Sequence, residues 1–152
     1  MTSQAHRQAR SRNTPDRHPT ALSGVRTEQL VAGLGETPDT GQVAELLWRL
    51  GDEATGSALL YSLPPAFILE RLPALVTALR EEAYSGDVAA AAALFVASRS
   101  PRTTPASYVT RGVLGGNHIG QIASLVQRWA EQGSRAATQA LEIVSRRTRG
   151  RG

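Results

Sequence analysis

The chain has no cysteine and no lysine among its 152 residues. The first absence removes disulfides, thiolate metal sites and a cysteine nucleophile together. It also leaves no sign of an oxidising compartment. The second makes all 17 basic residues arginine, a bias that a GC-rich coding sequence produces as readily as selection for guanidinium chemistry. Aromatic residues are few, with two Phe, three Tyr and two Trp, so a core must be filled by Leu, Val, Ile and Ala. Long apolar runs are missing as well. The longest, Val88–Ala97, is ten residues of mostly alanine, against the roughly 20 needed to cross a bilayer. Met1–Arg12 contains no hydrophobic stretch, which argues against a secretory signal. That stretch is Arg- and Ser/Thr-rich, as transit peptides are, but Pro15 and Pro19 do not suit a presequence helix. A cytoplasmic protein without membrane association is expected.

What the chain does have is a recurring break between amphipathic runs. Three times a run ends at glycine and restarts in one pattern: Gly51-Asp52-Glu53-Ala54 to Leu59, Gly86-Asp87-Val88-Ala89 to Leu94, and Gly133-Ser134-Arg135-Ala136 to Leu141. Glycine takes the left-handed position that closes one helix, and Asp or Ser caps the free N–H groups of the next. An aromatic residue (Trp48, Tyr84, Trp129) precedes each closing glycine. The copies start 35 and 47 residues apart, within the range of stacked helix pairs, although the spacing is unequal and the full signatures of HEAT and tetratricopeptide repeats are lacking. The pattern predicts an all-α fold of eight to nine short helices, arranged as a compact bundle or a short solenoid-like stack of helix pairs.

The helices follow from apolar periodicity and caps. A short one is expected over Thr27–Leu34. Val43, Leu46, Leu47 and Leu50 then form one stripe, with Glu45 and Arg49 paired outside it. A further helix is expected from about Glu53 to Leu63. Phe67, Ile68, Leu69 and Leu72 lead to Pro73, which kinks or restarts the helix carrying Leu75, Val76, Leu79 and Ala83. Asp87 caps the alanine-rich helix, and Thr104-Pro105 opens one that stops at Gly115-Gly116. Asn117 begins the stripe Ile119, Ile122, Ala123, Val126 and Trp129. The last helix packs Ala137, Ala140, Leu141 and Val144, with Glu142 and Arg146 paired outside. Trp48 and Trp129 extend apolar stripes and are expected in core or inter-helix packing.

Charge divides the chain into three. Residues 1–20 carry four Arg against one Asp, and residues 144–152 carry four Arg and no acid, whereas residues 21–143 hold nine Arg against twelve carboxylates. The high isoelectric point thus belongs to the ends. Residues 1–24, polar and nearly free of apolar side chains, are expected to be a disordered basic tail, residues 25–147 a single helical domain, and residues 148–152 a basic C-terminal tail. Arg7, Arg10, Arg12 and Arg17 at one end, and Arg146, Arg147, Arg149 and Arg151 at the other, are the candidate anion- or nucleic-acid-binding residues.

Enzyme motifs fail on inspection. Asp16-Arg17-His18, Gly86-Asp87 and Gly116-Asn117-His118 imitate the order of a two-metal phosphoesterase. But Ile119 replaces the acid after the histidine, only His6 is left as a further imidazole, and helix caps stand where strand ends are required. Asp16, His18, Asp87 and His118 are therefore not expected to bind metal. Gly115–Gly120 has the glycine spacing of a phosphate loop, yet Gln121-Ile122 follows where Lys-Ser/Thr is needed. No catalytic residue and no cofactor is expected.

The function expected is a non-enzymatic helical interaction or adaptor module. It would bind a protein partner or itself, with basic tails adding non-specific affinity for nucleic acid or another anionic partner. The alternative is a small helix-turn-helix DNA-binding regulator, built either from Gln29–Leu34 and Val43–Leu50 or from the helices flanking Gly115-Gly116. Even in the second pairing the second helix carries few polar residues that could read bases, namely Gln121, Ser124, Gln127 and Arg128. An enzyme of unidentified type comes third.

Overall fold

The ten-residue alanine-rich run becomes the centre of the molecule. In the computed structural model, which describes residues 24–34, 39–51, 63–100 and 104–151, the helices are α1 (Thr27–Gly33), α2 (Thr40–Gly51), α3 (Leu72–Tyr84), α4 (Val88–Ser98), α5 (Pro105–Glu131) and α6 (Arg135–Arg151). A π-helical turn over Phe67–Arg71 leads into α3, and no strand is present among the described residues. Every residue of α4 from Ala90 to Ser98 is buried, as expected of a helix that is apolar all round. It packs against α2, α3, α5 and α6. In a stacked array a helix touches only its neighbouring repeats, so this is a bundle around a central helix.

The repeated turns are built as the capping chemistry requires. Gly86 and Gly133 have φ of 111° and 97°. The residue after each glycine donates its N–H to the carbonyl five residues back, Asp87 to Glu82 at 2.9 Å and Ser134 to Trp129 at 2.9 Å. This is the Schellman closure. Asp87 Oδ1 then accepts from the Ala90 N–H, and Ser134 Oγ from the Ala137 N–H, each at 3.2 Å. The first copy of the pattern and the helix expected over residues 53–63 fall mostly outside the described residues.

Six helices, rather than eight or nine, stand among the described residues, for two further reasons. Pro73 has no N–H to offer the Leu69 carbonyl, yet the chain absorbs the defect without ending the helix. It widens into the π-turn, where the Leu72 N–H reaches Phe67 O, and continues as α3. At Gly115, with φ 70° and ψ 170°, α5 is two helices that meet at a kink, as the stop expected at Gly115-Gly116 requires, and the two are counted here as one.

α2 departs from expectation more sharply. Its stripe is buried as predicted, but so is everything else from Val43 to Leu50, including Glu45 at 0% and Arg49 at 5% exposure. The Glu45–Arg49 pair was expected on the solvent side. Instead it lies inside, where Arg49 Nε donates to Glu45 Oε2, Nη1 to Thr27 Oγ1 and Nη2 to the Val25 carbonyl. Pairing and multiple hydrogen bonds are what make a buried charge tolerable. Trp48 on the same helix is fully buried, whereas Trp129 is half-buried against the core.

Candidate functional site

Two features of the C-terminal half stand apart from core packing. The first is the end of α6. Among its described side chains the last buried one is Ile143, with Val144 half-buried against the core, and beyond Val144 the sequence reads Ser-Arg-Arg-Thr-Arg-Gly-Arg. The backbone stays helical through this stretch to Arg151, where a separate short tail was expected from residue 148. Arginine is a good helix former, and cations suit a helix C-terminus. Arg146 is exposed. The pair expected between Glu142 and Arg146 is not formed; both side chains are exposed, and neither takes part in an ion pair among the described residues. Arg147, Arg149 and Arg151 occupy alternate positions of the same helical backbone. Arg7, Arg10, Arg12 and Arg17 lie outside the described residues.

The second feature is the second half of α5. The first half opens on a capping box: Thr104 Oγ1 accepts from the Ser107 N–H at 3.1 Å, and Ser107 Oγ from the Thr104 N–H at 3.0 Å. Gly115 then interrupts the hydrogen-bond ladder, and the helix restarts toward Glu131. Three residues after the break, His118 meets Tyr84 of α3. The Tyr84 hydroxyl donates to Gln121 Oε1 at 2.8 Å and lies 2.6 Å from His118 Nδ1. A hydroxyl has one proton, so with that proton given to Gln121 the His118 nitrogen must be the donor to the phenol oxygen. The rings stand 5.6 Å apart at a tilt of 46°. Burial pushes the Tyr84 phenol above its ordinary pKa of 10.0; the nearby Arg80 charge opposes the shift and Glu81 adds to it.

Along the outer side of this half-helix Asn117, Gln121, Ser124 and Arg128 are all exposed, as is Gln127. An open groove of ≈ 460 Å³ runs beside Ala123, Ser124, Gln127, Arg128 and Glu131. The other helix-turn-helix pairing is overturned by burial, because α2 has no free face from Val43 to Leu50 with which to enter a groove.

No protein-family model matches the chain, and no curated protein and no solved structure is similar to it.

The imitated metal motif is not assembled among the described residues. Asp87 is occupied as the cap of α4 and His118 faces Tyr84, while Asp16 and His18 lie outside the described residues. No group of three or more His, Asp or Glu among the described residues could hold a metal ion, and no helix there is long and apolar enough to cross a membrane. The Tyr84–His118–Gln121 network was not foreseen. Its members are 34 and 37 residues apart, and the one local signal was that Tyr84 is the least apolar of the three aromatics preceding a closing glycine.

Proposed function

We propose that the chain is a non-enzymatic helical interaction module whose Arg-rich ends hold a polyanion, nucleic acid first, while the helical body engages a protein partner or a second copy. The observation that carries this reading is the continuation of the α6 backbone beyond Val144. Val144 is half-buried against the core, and beyond it the helical backbone runs for about two further turns through a stretch with four arginines and no carboxylate. On the one arginine of that stretch whose side chain is described, Arg146, the guanidinium is exposed and makes no ion pair among the described residues. Such groups gain most from a partner with closely spaced phosphates, because each contact releases a condensed counterion.

The test is binding of the full chain to labelled random-sequence duplex DNA, followed by anisotropy over a range of salt. Eight terminal arginines neutralise at most eight phosphates, so the log–log salt slope is expected to be no steeper than about −7. Changing Arg146, Arg147, Arg149 and Arg151 together to Ser should flatten it by about half. No binding at low salt, or a slope unmoved by the four substitutions, would overturn the reading.

A further inference from the structure

We infer that the outer stripe of the second half of α5 reads the major groove of duplex DNA while the arginines at the end of α6 hold the phosphate backbone. This rests on the polyanion reading above and gives that polyanion a sequence. Asn117, Gln121, Ser124 and Arg128 recur at intervals of four, three and four residues, one per turn, and all are exposed. At 1.5 Å per residue the stripe is about 17 Å long, the rise of about five base pairs at 3.4 Å each. Its side chains are those that discriminate bases: amides pair with adenine, and guanidinium with guanine.

Three observations point to this occupant rather than to a packing partner. The stripe is polar, and α5 has already placed Ile122 and Val126 of its opposite side in the core. Its amide at Gln121 is held in place, since Tyr84 donates to Oε1 and leaves the NH₂ group as the free donor. Positive charge is supplied at the right end. The turn Gln132–Ser134 between α5 and α6 is short, and short turns join antiparallel neighbours. Residues 146–151 lie 13–18 positions beyond Gly133, and residues 115–120 the same number before it. The α6 arginines therefore come level with the start of the half-helix, the end from which a recognition helix contacts bases. Gly116 and Gly120 are exposed there, and a Cβ added at either would meet nothing within 4 Å, so a sugar–phosphate strand can approach the helix closely. Glu131 closes the stripe at its far end.

The experiment is repeated selection of the full chain against a random duplex DNA pool, with three variants in parallel. The wild-type chain should enrich a motif of about five base pairs, and a single mismatch should weaken binding by about 5- to 150-fold. Asn117→Ala/Gln121→Ala/Ser124→Ala/Arg128→Ala should lose enrichment yet keep salt-dependent binding, its slope smaller by about one for the lost arginine. Ser124→Ala, which leaves the Tyr84 bond alone, should relax only the central positions. Arg146→Ser/Arg147→Ser/Arg149→Ser/Arg151→Ser should weaken binding to all sequences alike. Tight, salt-dependent binding with no enriched motif would overturn this inference and leave the polyanion reading standing, as would a motif retained by the fourfold α5 variant or a preference for single-stranded RNA. Failure of the wild-type chain to bind any nucleic acid at low salt would overturn both.

Discussion

α2 and α4 are the two helices buried on every side, and they reach that state by opposite chemistry. α4 has nothing polar to hide from Ala90 to Ala97, and its methyl side chains let four neighbours approach a thin cylinder. α2 takes two opposite charges inside and satisfies Arg49 through Glu45, Thr27 and the Val25 carbonyl. Burial of α4 is non-directional, since any helix of suitable shape covers it. Burial of α2 is directional, because the guanidinium accepts only a neighbour that brings oxygens to the right places. That neighbour is the start of α1, so the charged pair also fixes where the N-terminal helix docks.

The sharpest way to break this comparison is to remove one charge. Arg49→Ala should destabilise the chain by about 3–5 kcal/mol in urea unfolding, because Glu45 is left buried and uncompensated. Glu45→Met/Arg49→Leu should instead be neutral or stabilising, with α1 held less specifically. A double variant as unstable as Arg49→Ala would show that the hydrogen bonds to α1, not charge balance, dominate. On α4 the corresponding insult is size. Ala92→Leu adds volume where no solvent reaches and should cost about 1–3 kcal/mol; an unchanged midpoint would mean that the four neighbours are loosely packed. Helix starts should respond alike in both. Asp39 caps α2 through the Gln42 N–H at 2.9 Å, and Asp87 caps α4, so Asp→Ala at either position should lower stability by about 1 kcal/mol. The smallest effect is at Tyr84. Its phenol is harder to ionise in the folded chain than at its ordinary value of 10.0. The native state therefore holds the proton where the unfolded state has released it, and stability should fall as pH rises beyond about 10. Tyr84→Phe should remove that dependence, checked by unfolding midpoints at pH 9 and pH 11.

The contrast also separates what could be read from the sequence from what could not. Asp87, Thr104, Ser134 and the glycines at 86 and 133 were legible because a cap is settled by residues within one turn of one another. The identity of the Glu45–Arg49 pair was legible for the same reason, but its depth was not. Periodicity assigns a helix one wet face, and α2 has none, since its polar face is covered by the approach to α1. The Tyr84–His118–Gln121 network was invisible because it depends on how α3 lies against α5. Arg71, which donates to the Leu34 carbonyl at 2.7 Å and so closes the end of α1, is another link of this kind. Among the candidate arginines Arg146 is exposed near the end of α6, and the helical backbone runs on to Arg151, because nothing in this arginine-rich run with its one late glycine stops a helix that is already under way.

The central position of α4 also sets an order of events during synthesis. α2 and α3 precede it in the chain, but two of its four walls, α5 and α6, follow it. When Ser98 leaves the ribosome, Ile143, a buried residue of α6, is still 45 residues away. At about 5–20 residues per second that is a wait of roughly 2–9 s with half of the apolar helix uncovered. A nascent segment of leucine or isoleucine in that place would expose far more area to other chains. Alanine exposes little, and its strong helix propensity favours a hydrogen-bonded backbone before the last two walls arrive. The methyl groups that make α4 thin enough to be surrounded also make it safe to leave unaccompanied.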